Sequence, residues 1–427
     1  MLQRRTHTAG TPYRWPLLEH VRNTPTVIPL PPMTTVARAL RAITEYLAAE
    51  LAVPKATPPE WCEAEWRIAR AVAVMQGISG LLATSVSWHG PPGWSQFLQS
   101  QHEHITLRQT RIQALQLALA DRFREECLPV QALKGAALYL EGIYQAGQRP
   151  MADLDLLVPA SHARRAGRIL ELLGLRESHR TFKHRVFEAP DAARPSIFGE
   201  HSRNGVKVEL HERICEILPY RVTDISSRVF HEAPAPGLNT YPSRVALMAH
   251  LLLHTAGAMA TRTLRLIQLH DINRLARQLE ARDWQQFLDW HPWWAWPPLA
   301  LAERYVGEAT PPAVAQAVRV LCPAILRYLC ARQSLTDVSL SRLWVEALPG
   351  IEWARTAGEA ATFVARRIVP SAENRSDRRY ALATDPSLAR GDWGRLSQGR
   401  RILRALRTRT PRPWPLHNVR VALAEPA

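Results

Sequence analysis

Met151-Ala152-Asp153-Leu154-Asp155-Leu156-Leu157-Val158 is the stretch whose reading decides the fold. Along a strand successive side chains alternate faces, so Asp153 and Asp155 share one face while Leu154 and Leu156 point into a core. Asp is depleted in strands, and two carboxylates about 7 Å apart repel each other unless a cation lies between them. The spacing reads either as a solvated acidic face or as part of a site for a hard divalent ion. Such ions are bound by one or two carboxylates together with substrate phosphates.

Working outward, Val130–Leu133 reads as a short strand, followed by Lys134-Gly135, an apolar helix through Ala136–Ile143 and a loop over Gln145–Pro150. Downstream, Pro159-Ala160-Ser161 opens a helix through Leu173, with Ser161 as the expected N-cap and Gly174 past its end. Ile197–Ser202 and Val206–His211 flank Asn204-Gly205, a strong hairpin signal. In the second of these strands Val206, Val208 and Leu210 face the core, and Lys207, Glu209 and His211 share the other face. If that strand lies beside the Asp strand, Glu209 completes a cluster of three carboxylates able to hold two metal ions for phosphoryl transfer. The whole unit spans roughly 85 residues, within the range of a small domain.

LKGAALYLEGIYQAGQRPMADLDLLV (residues 133–158), followed by VKVELH (206–211), resembles the nucleotidyltransferase superfamily that includes DNA polymerase β. More narrowly, it resembles a bacterial nucleotidyltransferase group that reads LKG…Y…RPxxDxDLLV. Its downstream helical segment, with two His and a later Asp-Ile, is similar to LMAHLLLHTAGAMATRTLRLIQLHDINRL (247–275). The resemblance covers about Trp61 to Leu279. It implies a small polymerase-β-like catalytic unit in which Asp153 and Asp155 bind two Mg²⁺ ions, with Mn²⁺ as an alternative, and Glu209 joins one of them. It also implies that the glycine-bearing turn touches the phosphates of an NTP. The chain departs from the superfamily's usual Gly-Ser there: it has Lys134-Gly135-Ala136, with no hydroxyl, and a Lys followed by Gly is also found in related toxin-type nucleotidyltransferases.

Several residues have two readings. Lys134 is a candidate phosphate contact, with Gly135 allowing close backbone approach, or it is a solvated strand end. Arg149 could neutralise a phosphate with its planar fork, or be one loop Arg among many. His211 could act as a general base or phosphate donor, or orient Glu209. His250 and His254 are four apart on a helix, the spacing that lets two imidazoles meet one metal, but no third ligand is near and helix packing is the better reading. Arg262, Arg265 and Asp271 lie in the resembling stretch and could line the acceptor side.

Composition bounds the rest. With 427 residues, 46% of them hydrophobic and 22% charged, the chain is globular. Its expected class is α+β, with an α/β catalytic unit flanked by helical segments. The expected divisions are a loose arm with one helix (1–60), a helical segment (61–128), the catalytic domain (129–242), a helical domain (243–390) and a basic tail (391–427). Five scattered cysteines without a CxxC argue against a disulfide scaffold or zinc ribbon and suit a reducing cytoplasm. The best apolar run, Val245–Met259, carries His250 and His254, so no membrane span is expected. The net charge of +16 suggests a polyanion such as RNA as a candidate partner. Yet Lys stands only at 55, 134, 183 and 207 among 54 basic residues, and the other 50 are Arg. That skew inflates Arg everywhere, and a retained Lys hints that a compact ammonium is wanted. The expected activity is Mg²⁺-dependent transfer of a nucleoside monophosphate from an NTP to an acceptor hydroxyl on a small molecule, peptide or saccharide. The alternatives are a toxin-like enzyme acting on tRNA, or an inactive scaffold of the same fold.

Overall fold

A computed structural model describes residues 28–190, 198–372 and 396–424, with 375, 378, 379 and 382. Residues 1–27 of the expected N-terminal arm, and the junction between the helical domain and the tail, lie outside the described residues. The chain opens with helices α1 (Met33–Ala52), α2 (Glu63–Gln76), α3 (Ser79–Ser85) and α4 (Pro92–Glu125). α4 starts at Pro92, which needs no amide partner in the first turn and whose ring fixes φ for the helix. The 34 residues of α4 reach about 50 Å, far enough to serve two cores. Its N-terminal Trp94 and Leu98 join a large helical core, while Ile112, Leu119 and Phe123 join a second core under the sheet.

The sheet is built from β1 (Pro129–Ala132), β2 (Asp153–Leu157), β3 (Arg176–Arg180), β4 (His184–Glu188), β5 (Lys207–His211) and a strand at Gly237–Asn239. The first five stand in the order β3-β4-β5-β2-β1, and Gly237–Asn239 pairs parallel to β1 at the edge. β2 runs antiparallel to β1 and parallel to β5, which itself runs antiparallel to β4. Between β1 and β2 lies α5 (Lys134–Leu140); between β2 and β3 lies α6 (Ala163–Leu172). A short 3₁₀ turn at Ala160–His162 precedes α6, and Ser161 does not cap it. Gly174 takes φ +84° beyond the helix end, as expected. Two further strands, Cys215–Ile217 and Val222–Asp224, pair as a small separate ribbon.

The hairpin expected around Asn204-Gly205 does not form. β5 takes β4 as its antiparallel partner, and 198–202 form no strand. Neither Asn204 nor Gly205 has the positive φ that a two-residue hairpin turn demands. A longer-range network holds the loop instead. From α4, Arg108 donates to Glu200 (2.8 Å), to the Ala152 carbonyl (2.8 Å) and to the Gly205 carbonyl (2.6 Å). Buried, multiply bonded guanidinium contacts of this kind outweigh a local turn preference.

C-terminal to the sheet, α7 (Ser226–Val229) leads to α8 (Arg244–Thr261) and α9 (Leu266–Ala276). Ser243 caps α8 by accepting from the Ala246 amide (3.2 Å). α8 is buried nearly all round and forms the centre of the helical core. The last helix, Pro413–Ala424, lies within the expected basic tail and starts among the prolines at 411, 413 and 415. It buries Val419, Ala422 and Leu423 against the same core. Thus helices from both ends of the chain share one interior. Among the described residues no single helix is long and apolar enough to cross a membrane.

Candidate active site

Leu154, Leu156, Val208 and Leu210 are fully buried on the side of the sheet that faces α6 and α4. Each such burial is worth about 1.5–3 kcal/mol, which fixes the register and forces the alternate residues to the opposite face. The parallel register sets Asp155 directly beside Glu209 and Asp153 beside Lys207. Asp153, Asp155, Glu209 and His211 therefore occupy one sheet face.

Lys134 reaches this face from the first residue of α5. Its φ of +45° is costly for a side-chain-bearing residue. The turn is held by the Leu133 amide donating to the Asp155 carbonyl (3.0 Å) and by the Lys134 amide 3.3 Å from the Tyr241 hydroxyl. The Lys134 ammonium donates to Asp155 Oδ1 at 2.8 Å, and His211 Nε2 stands 2.9 Å from the same oxygen. Asp155 is thus buried with a cation and an imidazole on one carboxylate oxygen.

The electrostatics follow. Burial would raise the Asp155 carboxyl, but Lys134 and His211 hold it well below the usual carboxylate range. Glu209 is also held low against its own burial, through His211 and Lys134. Asp153 is the exception: burial, then the charges of Asp155 and Glu209, push it up to about 7. Among the described residues it has no hydrogen bond or ion pair. Burial alone would lower Lys134, yet Asp155, Glu209 and Asp153 together lift it above its ordinary value. Three acids against one ammonium leave an excess of negative charge.

His184, on β4, adds a second imidazole. Its Nε2 lies 3.5 Å from Glu209 Oε2, His211 Nε2 lies 3.6 Å from the same oxygen, and the two rings stand 4.8 Å apart. Burial brings His184 down to about 4, so it is neutral at physiological pH.

The other residues singled out in the sequence have different surroundings. Arg149 makes a bidentate ion pair with Asp271 of α9, both contacts at 2.8 Å, and Tyr144 donates to the same carboxylate at 2.8 Å. It ties the loop before β2 to α9, and its Nε and Nη2 are committed there. A Cβ on Gly135 would come 2.4 Å from Arg149 Nη1 and 2.7 Å from Met151 Sδ, so glycine at 135 makes room for the arginine. His250 Nδ1 bonds the Tyr241 hydroxyl (2.6 Å), whereas His254 Nδ1 faces Glu216 (3.3 Å). The two do not converge on one point. Arg262 is clamped by Glu346 and Glu352, and Arg265 packs under Gly77.

A family model described as an uncharacterised nucleotidyltransferase matches residues 63–291, more than half of the chain. The chain belongs to that family. No curated protein and no solved structure matches it. The span that makes it a nucleotidyltransferase-family chain runs from α2 past α9 and includes every strand of the sheet. Within it, sequence reasoning overlooked His184 and Tyr241, and marked Lys183 only as a lysine kept in an arginine-rich chain. It ion-pairs with Glu216, whose other oxygen faces His254.

Proposed function

We propose that this chain transfers a nucleoside monophosphate from an NTP to an acceptor hydroxyl, using the β2–β5 face of a polymerase-β-like catalytic unit. The observation that carries the reading is the parallel register that sets Glu209 beside Asp155, with Asp153 two residues earlier on the same face. The donor set fits hard divalent ions: three carboxylates converge, and one of them, Asp153, lacks a cation partner and is driven toward protonation by burial and then by the charges of Asp155 and Glu209. Asp153, Asp155 and Glu209 would hold Mg²⁺. When bound, such ions neutralise triphosphate charge and favour departure of pyrophosphate.

The chain's own residues have distinct parts in this reading. His211 orients Asp155. Lys134, pinned by Asp155 and Tyr241, holds charge balance on the acid face and would meet a phosphate of the bound NTP. Arg149 and Asp271 fix the approach of the loop to β2. Five cysteines without disulfides suit a cytoplasmic setting.

The test is incubation with labelled NTPs, Mg²⁺ and candidate acceptors, wild type against Asp153→Asn/Asp155→Asn, with Mg²⁺–NTP binding followed by calorimetry. Equal label transfer by both proteins rules out these carboxylates. Absence of Mg²⁺-dependent NTP binding favours an inactive scaffold. A second reading, an RNA acceptor, is favoured by a groove lined by Arg164, Arg165, Arg168, Arg180 and Arg185 beside Glu212. Steep salt dependence of tRNA binding would select it over a small-molecule acceptor.

A further inference from the structure

We infer that His184, His211 and Glu209 form a second, chemically distinct cation site that takes a borderline transition ion such as Zn²⁺ or Co²⁺ in preference to Mg²⁺. Two imidazoles and one carboxylate are the donors such ions favour, whereas Mg²⁺ prefers oxygen alone. The ligand atoms of the three residues all lie within 4.8 Å of one another. An ion bound tetrahedrally at 2.0–2.1 Å needs ligand atoms about 3.3–3.4 Å apart. The Glu209 oxygen stands 3.5 Å from one imidazole nitrogen and 3.6 Å from the other. Those separations are too long for good hydrogen bonds and close to what a shared ion requires.

Two further observations support the site. His184 is uncommitted: its Nδ1 is buried without a partner among the described residues, and its Nε2 meets only the distant Glu209 oxygen. His211 can turn its Nε2 to an ion without stranding Asp155, because the Lys134 ammonium remains on the same Asp155 oxygen at 2.8 Å. Glu209 is then the shared wall between an all-carboxylate pocket and an imidazole pocket. The site shares Glu209 with the proposed nucleotidyl-transfer face and so rests partly on that reading, but His184 belongs to the imidazole pocket alone.

The experiment titrates full-length protein with Co²⁺ and with Zn²⁺, in excess Mg²⁺, by equilibrium dialysis and by the visible absorption of Co²⁺. X-ray absorption of the loaded wild type counts imidazole scatterers. The expected result is one Co²⁺ retained against Mg²⁺, with two imidazoles in its shell. His184→Gln should weaken it on the order of 10–100-fold or more while leaving Mg²⁺–NTP binding unchanged. His211→Gln should weaken it similarly, and circular dichroism checks that both variants fold. Asp153→Asn should leave Co²⁺ binding in place. The proposal is overturned if folded wild type retains no Co²⁺, if the bound ion has no imidazole in its shell, or if Asp153→Asn removes it and His184→Gln does not. That last outcome leaves the nucleotidyl-transfer reading standing. Loss of Mg²⁺–NTP binding with Co²⁺ binding intact would sink that reading alone.

Discussion

A lysine, an acid and a histidine are grouped in two places: Lys134, Asp155 and His211 on the sheet face, and Lys183, Glu216 and His254 between the β3–β4 turn, the small ribbon and α8. Their histidines shift in opposite directions. Burial lowers both, but His211 ends raised because Asp155 and Glu209 surround it. His254 ends lowered, by burial and then by Lys134. In the second group one lysine answers one acid. In the first, one lysine faces three. A lysine, an acid and a histidine together therefore leave no charge over; only the further acids beside Lys134 do.

The largest expected break in this comparison is functional. Asp155→Asn should reduce nucleotidyl transfer by on the order of 10³-fold, whereas Glu216→Gln should leave it within about threefold and act on stability instead. Single-turnover assays beside thermal melts separate the two. Next come the lysines. Lys134→Met should cost about 3–5 kcal/mol by stranding buried carboxylates, and saturating Mg²⁺ should restore around 2–3 kcal/mol of that. Lys183→Met should cost about 1–3 kcal/mol with no recovery on adding Mg²⁺. Equal Mg²⁺ rescue in both variants would erase the distinction.

A third histidine extends the series. His270 in α9 has a buried Nε2 with no hydrogen-bond partner among the described residues, and burial followed by Arg274 holds it down to about 4. Its unfolded value is near 6.5, so the unfolded chain binds the extra proton first. The stability tied to the neutral ring is present above pH 6.5 and is lost as pH falls toward 4. His270→Leu should flatten that acid limb by roughly 1–3 kcal/mol, measured as the difference in denaturant midpoint between pH 7 and pH 4.5. An unchanged acid limb would show that the ring is not held neutral. The smallest expected effect is at Gly257, where an added Cβ would come 2.4 Å from Glu216 Oε2. Gly257→Ala should cost about 1–2 kcal/mol and leave Mg²⁺ binding untouched.

What could be read from the sequence was what period two and short range encode. The acid strand, its apolar underside and the in-phase Glu209 followed from alternation, because four buried aliphatic side chains enforce the register. The partner of β5 did not, since Arg108, some ninety residues away, overrides the Asn204-Gly205 turn. The fate of Arg149 was hidden for the same reason: Asp271 lies 122 residues on. His184 stood on a strand that alternation alone did not mark, and its meaning arises only when β4 lies against β5.

The length of α4 carries one last consequence. Because a single rod is rooted at one end among the helices and at the other beneath the sheet, the sheet unit cannot be excised as a free-standing piece. A fragment beginning at residue 129 would bare the hollow that Ile112, Leu119 and Phe123 fill, and should clump rather than fold. Melting of the intact chain should accordingly proceed in one step, with the shaft transmitting the loss of either end to the other.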